Sequence, residues 1–185
     1  MITVVSGLPR SGTSMLMQML EAGGLPPYTD AERAADPSNP RGYYEHERAK
    51  ALARDNVWLA EAEGHVLKVI AQLLRHLPNG FDYRVVFLDR DLDEVLASQS
   101  AMLQRLGRPA AKPAVLRPVF ERQLAEAKRW LDTHPRADVL YVPHLDTIAD
   151  PAAQAARIND SLGGALDEGA MASAVDPSLH RQRTA

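Results

Sequence analysis

The 185-residue sequence contains no cysteine, which excludes a disulfide framework, thiol catalysis and cysteine-ligated zinc. It lacks a charge excess, with 21 basic side chains against 24 acidic ones. No global field therefore recruits nucleic acid or an anionic membrane surface, and any anion site has to be local. No apolar run approaches the roughly 18 residues that a bilayer-spanning helix needs. No basic leader with an apolar stretch and a small-residue cleavage site precedes the first strand, so a soluble cytoplasmic protein is the expectation. Without secretion, the sequon-like Asn159-Asp160-Ser161 is an accidental match. Internal repeats and low-complexity tracts are absent as well.

The N-terminus is rich in signal. Ile2-Thr3-Val4-Val5 is an apolar, β-branched run, and Gly7-Leu8-Pro9-Arg10-Ser11-Gly12-Thr13-Ser14 is turn-rich. Met15, Leu16, Met17, Met19 and Leu20 then fall at helical spacing before Gly23-Gly24. This reads as strand, phosphate-cradling loop, helix. A loop that opens a helix directs unpaired N–H groups and the positive end of the helix dipole at whatever sits over it, so an anion belongs there. Gly7 and Gly12 occupy the two glycine positions of G-x-x-x-x-G-K-[ST], where a missing Cβ lets backbone wrap closely around an anionic group. The lysine of that pattern is missing. Thr13 stands in its place, and the fixed positive charge is Arg10, inside the loop. Ordinary ATP or GTP hydrolysis needs that lysine at the outer phosphates and is disfavoured; anion binding is not.

The rest of the chain alternates. Leu25 to Gly42 is dense in proline and turn formers and reads as a loop beside the anion site. A helix is expected from His46 to Glu63, a mostly buried strand from His65 to Ile70 and a helical turn from Gln72 to Leu77. The clearest strand is Arg84-Val85-Val86-Phe87-Leu88. A helix follows from about Leu92 to Leu106, then an interruption from Gly107 to Pro118 whose composition suits a mobile lid or a solvated connector. The periodic part closes with an amphipathic helix over Val119 to His134, a strand at Val139-Leu140-Tyr141-Val142, and a helix from Pro151 to Leu162 stopped by Gly163-Gly164. Strands alternating with helices predict a single three-layer α/β/α domain over residues 1–185, with a parallel, P-loop-like sheet and an irregular tail at 165–185. Ligands of such sheets bind at the carboxyl ends of the strands, which puts the first loop, the end of the Lys68 strand and Asp89-Arg90-Asp91 on one rim.

Arg90, at a strand end, and Ser98, two turns into the next helix, are spaced to face one cluster of anionic oxygens. At this point the sequence resembles a known family. Pro9-Arg10-Ser11-Gly12-Thr13-Ser14 resembles the 5′-phosphosulfate loop of the sulfotransferases, and Arg90 with Ser98 resembles that family's 3′-phosphate signature. Asn39-Pro40-Arg41-Gly42-Tyr43-Tyr44-Glu45 is similar to a segment of bacterial members, and Asp146 to Pro151 with Leu162-Gly163 to the family's later strand-loop-helix. The resemblance covers roughly Met1 to Gly164. It implies a sulfotransferase-type P-loop fold and transfer of a sulfuryl group from 3′-phosphoadenosine 5′-phosphosulfate to an unidentified hydroxyl or amine, with no metal. It assigns donor binding to Pro9, Arg10, Ser11, Gly12, Thr13, Ser14, Arg90 and Ser98.

Sulfuryl transfer needs positive groups at the transferring and leaving oxygens, a linear geometry, and a base for the acceptor proton. Arg10 and the amides of Ser11 to Ser14 suit the first task. Lys68 resembles the family lysine that assists there, although its pattern equally fits an edge-strand lysine reaching water. The histidine that many members carry two residues later is Ile70 here. Glu45 is the first candidate for the base and His46 the second, each also readable as a solvent-facing charge at a helix start. His144 and Asp146 form an accessory pair at most. Arg181 and Arg183 are the candidates to replace a glycine-rich basic segment that members carry near the C-terminus. Two other readings stay open. Asp89, ending an apolar strand with Ser14 as partner, suits a magnesium-dependent P-loop kinase using Arg10 in place of the lysine. The other is a nucleotide-binding regulatory module without catalysis.

Overall fold

The computed structural model describes residues 1–30, 32, 34–37, 39–109 and 112–182. Its centre is a sheet of four parallel strands, β1 (Ile2–Gly7), β2 (Val66–Lys68), β3 (Tyr83–Asp89) and β4 (Ala137–Pro143), in the order β2-β1-β3-β4. Residues buried on both faces of a strand read as a continuous apolar run rather than an alternation. So it is here: Tyr83, Val85 and Phe87 of β3 enter one core and Val86 and Leu88 the other, as Val4 and Val5 of β1 do. Burying each such aliphatic or aromatic side chain contributes about 1.5–3 kcal/mol.

The helices are α1 (Thr13–Ala22), α2 (Glu47–Lys50), α3 (Leu92–Arg105), α4 (Pro113–Thr133), α5 (His144–Ala149), α6 (Pro151–Leu162) and α7 (Glu168–Ser173). Leu96 of α3, Phe120 and Leu131 of α4, and the 3-10 turns Val57–Ala62 and Ala71–His76 cover one face of the sheet. Leu16 and Leu20 of α1, Ile158 of α6 and Met171 of α7 cover the other. This is the expected three-layer α/β/α arrangement. The outer edge of β2 is capped by the chain at Pro26 to Tyr28, which exchanges backbone hydrogen bonds with Val66.

Three expectations are corrected. The helix expected from His46 to Glu63 is divided into the single turn α2 and the 3-10 helix, because Asp55 Oδ1 accepts the Val57 amide at 3.1 Å, a local bond that competes with the helix ladder. The interruption expected to last to Pro118 ends at Lys112: Pro113 opens α4, where a missing N–H costs nothing. Pro118 lies inside that helix, flanked by Leu116, Val119 and Phe120 packing on the core. The tail expected to be irregular folds into α7 and a 3-10 turn at Pro177–Leu179. Asp167 caps α7 through the Ala170 amide, and Met171 fills the space beside Gly23, where a Cβ would come within 2.6 Å of its side chain. Asn159, the sequon residue, is buried with its side chain bonded to Glu168 and to the Leu166 amide.

Candidate anion-binding site

The loop between β1 and α1 is set by two close approaches. A Cβ on Gly7 would lie 2.8 Å from the Leu88 carbonyl oxygen. Gly12 has φ +102°, and a Cβ there would lie 2.8 Å from the His144 ring. Between them Arg10 takes the left-handed region at φ 72°, a conformation that costs a non-glycine residue about 1–3 kcal/mol. Two bonds hold it: its carbonyl accepts Arg90 Nη1 at 3.1 Å, and its own Nε donates to Ser98 Oγ at 3.1 Å. Arg10 and Arg90, from the two segments singled out in the sequence, are thus in direct contact. Burial, reinforced by the Arg90 charge, lowers the Arg10 pKa. Helix geometry leaves the Thr13 and Ser14 amides without intrahelical acceptors, aimed out of the α1 N-terminus with the positive end of its dipole.

These groups line a cavity of about 460 Å³ at the carboxyl edge of the sheet. Pro9, Arg10, Gly12, Thr13 and Ser14 form its floor, with Lys68, Arg90 and Ser98 beside them. Lys68 ends the edge strand β2, yet it is only 8% exposed. Its Nζ donates to Ser14 Oγ at 3.0 Å and to the Tyr43 carbonyl at 2.7 Å, while Asn39 Nδ2 donates to the same Ser14 oxygen at 2.8 Å. The snorkelling reading of Lys68 is therefore set aside. Ser11 departs from its expected place. Its hydroxyl is buried beneath the loop without a partner among the described residues, and its amide is spent on the Leu8 carbonyl, so it shapes the turn instead of facing the cavity.

Arg90 is the best-anchored cation. Nε donates to Glu94 Oε2 at 2.9 Å, Nη1 to the Arg10 carbonyl, and Nη2 to the Gln182 carbonyl at 3.0 Å. Glu94 Oε2 also meets His180 Nε2 at 2.9 Å, and the His180 ring stands edge-on to His144 at 5.0 Å. Burial, with the Arg90 charge next, drives the His144 pKa down to about 3, so the ring is neutral. Glu94, His144 and His180 have ligand atoms within 4.8 Å of one another, the one such group among the described residues. The Arg90 guanidinium already sits on Glu94 Oε2.

Another part of the lining carries the candidate bases. Glu45 lines the cavity and pairs with Lys50 at 3.1 Å. His46 also lines it, but its ring stacks on Tyr28 at 4.8 Å and on Trp58 at 5.5 Å, and its Nδ1 caps α2 by accepting the Arg48 amide. That is a structural role. Asp89 points elsewhere: it pairs with Lys128 at 2.7 Å, while Ser14 is held by Lys68 and Asn39, so the aspartate–serine pair of the kinase reading is not assembled. Asp146 is exposed on α5 and His144 turns instead to His180, so the accessory pair is not formed either. Arg181 lines the cavity and donates to the Pro37 carbonyl at 2.7 Å; Arg183 lies outside the described residues. Sequence reasoning missed His180 and Gln182, for which no local pattern exists, and the role of Asn39, which sits in a segment already singled out.

No family model matches the chain, and no curated protein matches it in sequence. Solved structures do. A sulfotransferase from Alicyclobacillus acidocaldarius superposes with a TM-score of 0.58 at 18% identity, over 96% of this chain and 87% of its own. The sulfotransferase domain of the Synechococcus PCC 7002 olefin synthase gives 0.58 at 21% identity, over 100% and 88%. Retinol dehydratase, in complex with androsterone and the inactive cofactor PAP, gives 0.52 at 19% identity, over 97% and 64%. The chain has the sulfotransferase fold, the parallel α/β architecture with a P-loop-like first turn.

Proposed function

We propose that this protein is a sulfotransferase of the cytoplasm, moving a sulfuryl group from 3′-phosphoadenosine 5′-phosphosulfate to a hydroxyl or amine acceptor. The observation that carries this reading is the convergence of Arg10, Lys68, Arg90, Ser98 and the start of α1 on one cavity. The donor set fits a ligand with more than one anionic group: amides at the start of α1, with Arg10, Ser98 and Arg90 bonded to one another beside them. Arg10, Lys68 and the Thr13 and Ser14 amides then hold the transferring and leaving oxygens. The acceptor oxygen or nitrogen attacks sulfur in line, the sulfur–oxygen bond to the 5′-phosphate breaks, and its electron pair leaves on the phosphate oxygen. The acceptor proton passes to a base, and Glu45 is the candidate carboxylate lining the cavity.

Calorimetric titration with 3′-phosphoadenosine 5′-phosphate (PAP), against ADP with and without magnesium, tests the donor assignment. Micromolar, magnesium-independent PAP binding is expected. Arg90→Ala should weaken it about 10- to 100-fold, the scale of a lost charge-assisted hydrogen bond. ADP binding as tight as PAP, strengthened by magnesium, would replace this reading with the kinase one.

A further inference from the structure

A chain of contacts that fixes Arg90 begins in the C-terminal segment. Glu94 is 2% exposed, and a carboxylate buried that deeply needs its charge paired and its lone pairs filled. Arg90 Nε supplies the charge and His180 the second hydrogen bond, both on Oε2 at 2.9 Å. A carboxylate acceptor requires the His180 proton to reside on Nε2. His180 itself is fastened from either side. Arg41 holds the preceding residues through the Ala174 carbonyl at 2.8 Å and Asp176 at 3.0 Å, and Arg181 donates to the Pro37 carbonyl. Beyond it, the Gln182 carbonyl accepts Arg90 Nη2. The neutral His144 ring on the far side adds no second positive charge to the cluster. Of the five guanidinium N–H groups of Arg90, three are committed to Glu94, Arg10 and Gln182, which leaves one on each terminal nitrogen for a ligand.

We infer that His180 is a positioning residue for Arg90: by adding a second hydrogen bond to Glu94 Oε2, it fixes the guanidinium in the orientation that selects a nucleotide bearing a 3′-phosphate. The inference rests on the donor assignment above. Without the His180 N–H, Glu94 Oε2 loses one of its two hydrogen bonds and holds the Arg90 Nε less firmly. The remaining N–H groups then have to be ordered by the ligand at the ligand's cost. The 3-10 turn that ends at His180 is thereby part of nucleotide specificity, although it lies more than eighty residues from the arginine it orients.

The test uses the full chain, titrated with PAP and with ADP, as wild type, His180→Ala and His180→Gln. The PAP-to-ADP affinity ratio should fall about tenfold in His180→Ala, with ADP affinity within twofold of wild type. His180→Gln retains an N–H donor and should restore most of the ratio. In an Arg90→Ala background, His180→Ala should change nothing further, since both act through one interaction. Thermal unfolding checks each variant. Should His180→Ala unfold, His180→Phe keeps the ring volume without a donor and carries the same expectation. An unchanged ratio in a folded variant, or equal loss of both nucleotides, overturns the inference and leaves the donor assignment standing. A wild-type chain with no preference for PAP overturns both.

Discussion

The two walls of the cavity are built differently. On the wall of Arg10, Arg90 and Ser98, each polar group is partly or fully buried and bonded to another part of the same wall, so the cations are held in place before any ligand arrives. On the other wall, Glu45 pairs with Lys50, whose side chain is 44% exposed and also pairs with Glu47, and His46 is absorbed into an aromatic stack. A fixed wall suits a ligand of constant charge geometry, since preorganised donors need no reorganisation when charge develops. An adaptable wall suits the group that varies. Lys68 joins them, reaching Ser14 on one side and the Tyr43 carbonyl on the other.

Removing that joint gives the largest expected effect. Lys68→Ala should slow single-turnover sulfuryl transfer about 100- to 1,000-fold, the usual scale for one lost transition-state donor, with PAP affinity changed only a few-fold. A loss confined to PAP affinity would assign Lys68 to the fixed wall alone. Next is Gly12→Ala, which places a side chain at φ +102° against His144. It should cost about 1–3 kcal/mol of stability, read by denaturant unfolding, and abolish PAP binding by displacing the loop. An alanine tolerated there would mean that the fixed wall is softer than its contacts indicate.

Acid should loosen the fixed wall first. His144 titrates near 6.5 when unfolded and about 3 when folded, so between those values the unfolded chain binds a proton that the native chain does not. Its contribution is complete above about pH 6.5 and declines as pH falls toward 3, at up to about 1.4 kcal/mol per pH unit. Burial lowers His134 as well, which adds in the same direction. His144→Gln should flatten the fall of melting temperature between pH 6.5 and 4; an unaltered slope would place the acid sensitivity elsewhere. The smallest effect belongs to the wall of Glu45 and His46. His46→Ala loses a cap and a stacked pair, about 1–2 kcal/mol of stability, with transfer rate within a few-fold of wild type. A rate loss above 100-fold would return His46 to the chemistry.

Legibility in the sequence followed the locality of the interactions. The loop was readable because its glycines, its arginine and the helix start are neighbours in the chain, and Arg90 and Ser98 because one strand end and one helix carry both. Pro113 misled because the run of prolines up to Pro118 hides that proline is well placed at the first helical position. Ser11 misled because its type suits a ligand hydroxyl while its direction depends on what packs against Gly7.

By itself the sequence determined the alternation of strands and helices around the sheet, the candidate anion-binding turn, and the cations placed beside it, since periodicity, turn chemistry and spacing are local properties. Only the tertiary structure decided that Lys68 reaches the cavity, that Asp89 does not, and that His180 stands on Glu94. Those contacts join residues 25 to 86 positions apart. They depend on how the layers pack around the sheet, and no pattern within a short stretch encodes that.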